Sequence, residues 1–205
     1  MRERPGVVAL ELDEGRLAAL LNPGKATGLR AGGSFLAMML LERFAGELTG
    51  SSPGSEMLRA FQAARAIGAR VEFIDLPIGV TIGSLRKLPL GEKARLGVDS
   101  LLSMLLLPFG GFSLSKLTEN MDEQLQMFRL RYPELSRILL DVREEYMVER
   151  IRNILRSTSG RVIALVGYGH MKPLAARLSS MQIPPTNSNN TTSTTGFTWS
   201  FSTGG

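Results

Sequence analysis

The chain has 205 residues, of which 43% are hydrophobic and 21% charged, and its net charge at pH 7 is +5. It is long and apolar enough for one globular core. Because it contains no cysteine, disulfides, a thiolate nucleophile and Cys-ligated zinc are excluded. The basic residues are scattered without interleaved aromatic residues, so a nucleic-acid partner is not expected.

The spacing of apolar residues predicts strands that alternate with helices along the chain. Short apolar runs predict buried strands over residues 7–13, 70–75 and 161–166. Helical spacing predicts helices over residues 14–21, 34–48, 56–67, 78–86, 90–107, 114–131, 133–156 and 171–180. Strands separated by helices indicate an α/β fold with a small, mostly parallel sheet flanked by many helices, and a helix-rich insertion at 78–132.

The last part of the chain has a different composition. Residues 186–195 are almost all Ser, Thr and Asn, which predicts a disordered tail at 184–205 after a folded domain at 1–183. The period-two pattern at 197–201 is consistent with either an edge strand or a segment that docks on a partner. Without a signal peptide or a bilayer-spanning apolar stretch, a cytoplasmic location is expected, with peripheral membrane contact as a minority alternative.

Polar side chains follow each predicted strand. Glu11 and Asp13 come at the end of the first strand, and Asp75 at the end of the second. His170, the only histidine, follows Gly167-Tyr168-Gly169 in the loop expected after the third strand. Because the carboxyl ends of parallel strands share one edge of a sheet, we expect these groups to converge. Carboxylates with an imidazole can bind a divalent metal or carry acid–base chemistry.

The predicted helix at 133–156 adds further candidates. Arg143, Met147 and Arg150 are spaced to share one of its faces. Glu56 lies in the first turn of another predicted helix, where a carboxylate interacts favourably with the helix dipole.

Each candidate also has a purely structural explanation. Asp13 can cap its helix, and Asp75 can end its strand with a turn hydrogen bond. Arg143 can be a solvated helix charge, which is the default for such a residue. His170 can hydrogen-bond its own loop, and residue chemistry alone does not separate this from a functional role. The glycines at 167 and 169 lack the third glycine of a dinucleotide-binding site.

Taken together, the motifs resemble those of the TraB/PrgY/GumN family, whose animal relatives include the Tiki proteins. The resemblance is to the archaeal and bacterial soluble domains of that family, and it covers about residues 5–180 in the family's order. The matching stretches are Val7–Asp13, Gly54–Met57 with the alanine-rich helix after it, Val71–Asp75 with Pro77, Asp141–Met147 with Arg150-Ile151, and Val166–His170.

The resemblance implies an α/β fold like that of the erythromycin esterase and ChaN group. Its pocket would be formed by two Gly-x-x-His motifs, a strand-end glutamate and a helix arginine. In this sequence the second Gly-x-x-His is Gly167 to His170, the glutamate is Glu11 and the arginine is Arg143. Tiki members are metal-dependent proteases, and PrgY and TraB members shut down peptide pheromone signalling. The implied activity is therefore metal-dependent hydrolysis of a peptide, with Arg143 stabilising the oxyanion.

Two departures from the family pattern bear on this site. The first Gly-x-x-His is expected before Arg4 and is absent from the sequence, and the acidic residue that usually precedes the helix arginine is Val142. A truncated start and a reduced family member both remain open. A truncated start would leave a sheet edge uncovered, which predicts a homodimer through that edge or pairing with the chain's own tail.

The resemblance implies that Glu11 and His170 bind the metal. With one histidine and carboxylates as ligands, Mn²⁺ or Co²⁺ is expected rather than Zn²⁺. The alternative is a non-catalytic protein that sequesters a peptide or a small anion in the same pocket, which the missing histidine favours. The further pocket candidates are Glu56, Asp75, Met147 and Gly167.

Overall fold

The computed structural model describes residues 4–22, 54–106 and 121–180. Three short strands form one parallel sheet: β1 (Val7–Leu10), β2 (Arg70–Phe73) and β3 (Val162–Leu165). Their order is β2-β1-β3, and Val8 lies opposite Val71 on one side and Ile163 on the other. The predicted α/β class with a small parallel sheet is confirmed.

Helices connect and cover these strands. Within the described ranges they are α1 (Glu14–Leu21), α2 (Ser55–Ala66), α3 (Ile78–Arg86), α4 (Leu90–Leu106), α5 (Met121–Arg131), α6 (Pro133–Ser136), α7 (Val142–Ser157) and α8 (Tyr168–Ser179). None of the helices in this part of the chain combines the length and the apolar character needed to cross a bilayer. The helix predicted at 34–48 and the tail at 184–205 lie outside the described residues.

The central strand β1 is covered on both faces. Val7 and Ala9 pack in the apolar cluster formed with α7 and α8, whereas Val8 and Leu10 pack with α1 and α2. The side chains alternate between the two clusters because successive residues of a strand point to opposite faces. All four residues of β1 are therefore buried, as expected for a parallel strand between two helical layers.

The third strand differs from the sequence prediction. It was expected to be buried, but it lies at the edge of the sheet that the described residues form, and Ile163 and Leu165 are 43% and 37% exposed. Apolar composition does not distinguish a central strand from an edge strand, so the strand order decides this burial. Exposed edge strands are potential sites of further strand pairing. The homodimer predicted through an uncovered edge stays a prediction.

The helices from α3 to α6 share a third apolar cluster with the turn that follows α6. Its buried members are Leu88, Phe128, Leu135, Ile138, Leu139 and Leu140. Glu92 of α4 caps the start of α6, because its two carboxylate oxygens accept the backbone N–H groups of Glu134 and Leu135 at 2.9 Å. These contacts hold the segment that leads into α7, which carries the principal charged residue of the candidate site.

Candidate functional site

The residues that follow the three strands come together at one edge of the sheet. Glu11 follows β1, Asp75 follows β2, and β3 leads into α8, whose first turn carries His170. The sequence predicted a loop at this position and a helix from residue 171, but α8 begins at Tyr168. Gly167 is the extended residue before the helix, and its carbonyl accepts the His170 N–H at 3.0 Å. His170 is therefore fixed by helical backbone.

Arg143 on α7 joins the two strand-end carboxylates. Its Nε and Nη2 donate to Oδ1 and Oδ2 of Asp75, each at 2.8 Å, and Nη2 also donates to Oε1 of Glu11. The three side chains are only 7%, 0% and 12% exposed, respectively. Bidentate hydrogen bonds between arginine and carboxylate are among the stronger polar contacts in proteins. They hold Glu11 and Asp75 in a defined arrangement.

The charges of Asp75 and Arg143 stabilise each other. Burial acts to raise the pKa of the Asp75 carboxyl, but the charge and hydrogen bonds of Arg143, together with the charge of Arg16, hold that pKa below its ordinary value. Burial acts to lower the pKa of Arg143, but Glu11 and Asp75 outweigh it and raise that pKa further above the neutral range. Both groups are consequently ionised at neutral pH.

Arg16 on α1 extends the network. Its Nη1 donates to Oδ2 of Asp75, and its Nε lies 3.2 Å from Oδ2 of Asp13. Asp13 caps α1 as predicted, since its Oδ1 accepts the N–H groups of Gly15 and Arg16 at 2.9 and 3.2 Å. Arg16 was not among the residues predicted from the sequence. Its position three residues after a capping aspartate is the signal that could have identified it.

The helix that carries Arg143 is not uniform. A single helix was predicted at 133–156, whereas the structure has a π-helical turn, Arg137–Asp141, between α6 and α7. The Leu139 carbonyl in this turn accepts a hydrogen bond from Nη1 of Arg143 at 3.1 Å. π-Helical turns occur frequently at functional sites. Here the turn contributes a contact that fixes the guanidinium.

Glu11 is hydrogen-bonded through both of its carboxylate oxygens. Oε1 accepts from Arg143, and Oε2 accepts the backbone N–H of Gly167 at 2.6 Å. A Cβ atom at position 167 would lie 3.2 Å from Glu11 Oε2, so glycine permits this close approach of the backbone. The glycine of the Gly-x-x-His motif therefore contacts Glu11 directly.

His170 lies between two carboxylates. Its side chain is 5% exposed, with Nε2 3.4 Å from Oε1 of Glu11 and Nδ1 3.5 Å from Oε1 of Glu144. Within the described residues, neither His170 Nδ1 nor Glu144 Oε1 has a hydrogen-bond partner. Arg129 and Arg177 each place an Nη2 atom 3.7 Å from a Glu144 carboxylate oxygen. The imidazole thus faces Glu11 with one nitrogen and Glu144 with the other.

Glu144 is a second site residue that was not predicted from the sequence. It precedes Met147, Val148 and Ile151 at helical spacing and is buried with them on one face of α7. A carboxylate within an otherwise apolar stripe is costly to bury without charged or hydrogen-bonding partners. That pattern is the sequence signal that could have pointed to Glu144.

The remaining predicted residues have other surroundings. Met147 is fully buried in the apolar cluster between the sheet, α7 and α8, where it contributes packing. Glu56 is exposed in the first turn of α2, the position that favours a carboxylate through the helix dipole. Arg150 donates to the Phe73 carbonyl at 3.2 Å and so braces β2. Met147, Glu56 and Arg150 therefore lie outside the site. The structure brings together Glu11, Asp75, Arg143, Gly167 and His170.

The donors at this edge fit part of a metal site. Bonds of about 2.1 Å place two ligand atoms of one ion about 3.0–3.4 Å apart, and His170 Nε2 and Glu11 Oε1 are 3.4 Å apart. Metal-ligating histidines commonly direct their other nitrogen at a carboxylate, as His170 does toward Glu144. Across residues 4–22, 54–106 and 121–180, no group of three or more His, Cys, Asp or Glu side chains is arranged to hold an ion. The described residues thus place two potential ligand atoms at a distance that one ion could bridge.

Comparisons with known proteins bear on the resemblance seen in the motifs. Residues 99–175 match the model of the TraB/PrgY/gumN family, and this stretch contains Arg143, Glu144 and His170. An uncharacterized protein of Methanocaldococcus jannaschii, MJ1365, is 25% identical over 190 residues, which cover 87% of this chain and 48% of that protein. The chain therefore spans about half the length of this relative.

No solved structure gives a significant match to the chain. The similarity to the erythromycin esterase and ChaN fold accordingly stays a prediction, whereas the family resemblance is confirmed. Over residues 99–175, the chain is similar to the TraB/PrgY/gumN family.

Proposed function

We propose that this chain carries part of the metal site of a hydrolase that acts on peptides, with Glu11 and His170 as two of the ligands. The observation that carries the proposal is the 3.4 Å separation of His170 Nε2 and Glu11 Oε1 at the carboxyl ends of neighbouring strands. Both side chains are almost entirely shielded from water, which would strengthen their interaction with a cation.

The contacts around Glu11 support its assignment as a ligand. Carboxylates that bind metals are usually held by further hydrogen bonds, which orient their free lone pairs. Arg143 and Gly167 supply such bonds, one to each oxygen of Glu11. A divalent cation in this place would supply a Lewis acid able to polarise a peptide carbonyl.

Arg143 has a positioning role in this proposal. Its guanidinium is buried and already donates to Asp75, Glu11 and the Leu139 carbonyl. An oxyanion stabiliser needs a donor directed at the reacting group, and these donors are directed at the protein. The geometry therefore favours a guanidinium that orients Glu11 over one that contacts the substrate.

Isothermal titration calorimetry with Mn²⁺ and Co²⁺ tests the proposal. We expect wild type to bind one of these ions, and His170→Ala and Glu11→Gln each to weaken that binding at least tenfold, because each removes one ligand. Glu145→Gln is the matched control, since Glu145 is an exposed carboxylate on α7. Equal affinities in all four proteins, or no binding to any of them, would refute the metal site.

A second candidate function is binding of a peptide or small anion without turnover. The observation that favours it is that both Glu11 oxygens already accept hydrogen bonds, and that the described ranges supply only two suitable ligands. Incubation of the Mn²⁺-treated protein with a degenerate peptide mixture, followed by mass spectrometry, separates the candidates. Cleaved peptides would support the hydrolase, and peptides retained intact on the protein would support sequestration.

A further inference from the structure

We propose that Glu144 positions His170 by accepting a hydrogen bond from Nδ1–H, so that Nε2 is unprotonated and faces Glu11. The inference deepens the proposed function and rests on it, because Nε2 must be unprotonated to act as the ligand atom. Glu144 itself faces Nδ1 and not Glu11's side of the ring, so its effect on the site would be exerted through His170.

The neutral ring carries one N–H proton, and the two neighbouring carboxylates are alternative hydrogen-bond acceptors for it. If Nε2 carried that proton, it would point toward Oε1 of Glu11, which already accepts a hydrogen bond from Arg143. If Nδ1 carries it, the proton points toward Oε1 of Glu144, which has no hydrogen-bond partner among the described residues. A buried charged acceptor without a partner is strongly unfavourable. The unsatisfied oxygen therefore favours the proton on Nδ1.

The surroundings of Glu144 keep its carboxylate suited to this role. Its side chain is 2% exposed, and the guanidinium groups of Arg129 and Arg177 lie 3.7 Å away, one near each oxygen. These cations stabilise the charge of Glu144, yet neither is close enough for a hydrogen bond. The 3.5 Å between Nδ1 and Oε1 is slightly longer than the range of about 2.7–3.2 Å that is typical of N–H···O hydrogen bonds.

The chain offers an unusually clean test because His170 is its only histidine. A long-range ¹H–¹⁵N correlation spectrum of the uniformly labelled, metal-free protein contains one imidazole, and the ¹⁵N shifts report which nitrogen is protonated. At pH 8, we expect Nδ1 to carry the proton and Nε2 to be unprotonated. A wild-type ring protonated at Nε2, or at both nitrogens, would overturn the proposal.

Variants at position 144 separate positioning from a merely structural contribution. Glu144→Leu removes the acceptor, and we expect the ratio of the two tautomers to shift toward Nε2–H by about tenfold, as for the loss of one buried hydrogen bond. Glu144→Gln keeps an acceptor oxygen, so we expect it to retain the Nδ1–H form, as should the exposed control Glu145→Gln. An unchanged ring in folded Glu144→Leu would contradict the proposal. If Glu144→Leu does not fold, the wild-type spectrum still decides.

The tautomer and the metal are measured independently. A bare Nε2 in a protein that binds neither Mn²⁺ nor Co²⁺ would support the positioning by Glu144 and refute the metal site. Metal binding by a protein whose metal-free ring carries its proton on Nε2 would support the metal site and refute the positioning by Glu144.

Discussion

Replacing Arg143 with methionine removes the group that joins Asp75 to Glu11. Methionine can fill part of the apolar space of the arginine stem but has no donor. The change eliminates three hydrogen bonds to carboxylates and one to the Leu139 carbonyl. Asp75 retains the hydrogen bonds from Arg16 and from the Leu76 N–H, so its charge is left only partly compensated.

The expected loss of stability follows from the burial of this pair. Removing one partner of a buried ion pair costs about 3–5 kcal/mol, because the other charge stays out of water. The Asp75 and Arg143 side chains are 0% and 7% exposed, so solvent screens their interaction little. Because Arg16 remains, we expect a loss near the lower limit, about 3 kcal/mol. At about 2–4 °C per kcal/mol for a chain of this size, Tm should fall by roughly 6–12 °C.

Urea unfolding followed by circular dichroism, together with a thermal melt, measures this loss. The matched control is Arg150→Met, on the same helix, where the arginine side chain is 40% exposed and 3.4 Å from Glu72. The exposed ion pair contributes about 0–1 kcal/mol and the hydrogen bonds to the Phe73 carbonyl about 1 kcal/mol, so the control should lose no more than about 2 kcal/mol. The reasoning fails if Arg143→Met is no less stable than Arg150→Met.

Two further predictions concern neighbouring groups. Because the pKa of Asp75 is lower in the folded chain than its ordinary value, its ionised form stabilises the fold above that ordinary value, and this contribution is lost as the pH falls through the lowered pKa. Urea titrations between pH 7 and 2 should therefore show a steeper acid loss of stability in wild type than in Asp75→Asn, and equal slopes would contradict this. Gly167→Ala places a Cβ 3.2 Å from Glu11 Oε2, whereas Gly169→Ala makes contacts of 3.7 Å or more with Leu125 and Leu140. We expect Gly167→Ala to lower the free energy of unfolding by about 1 kcal/mol, because the hydrogen bond from the Gly167 N–H to Glu11 is lost, and Gly169→Ala to be nearly neutral. Chemical denaturation measures both values, and equal effects would count against the close approach of Gly167 to Glu11.

Much of the fold and of the candidate site follows from local sequence patterns. Short apolar runs that alternate with helical stripes predicted the parallel α/β sheet, because both patterns are properties of neighbouring residues. The convergence of Glu11, Asp75 and His170 was predictable as well, since parallel strands end at one edge of the sheet. The capping role of Asp13 also needs only local geometry.

The pairings within the site were not predictable in this way. Arg143 and Glu11 are 132 positions apart, and only the packing of α7 on the sheet brings them into contact. Which nitrogen of His170 faces which carboxylate depends on the early start of α8 and on the face of α7 that carries Glu144.

The sequence by itself determined the class of fold, the family resemblance and the residue types available for chemistry. The tertiary structure decided that β1 is the central strand and β3 an exposed edge, that Arg143 is committed to two carboxylates, and that Glu144 belongs beside His170. The physical reason is that burial and charge pairing depend on which surfaces pack together. Local periodicity specifies that a helix has a buried face, but the groups opposite that face come from distant parts of the chain.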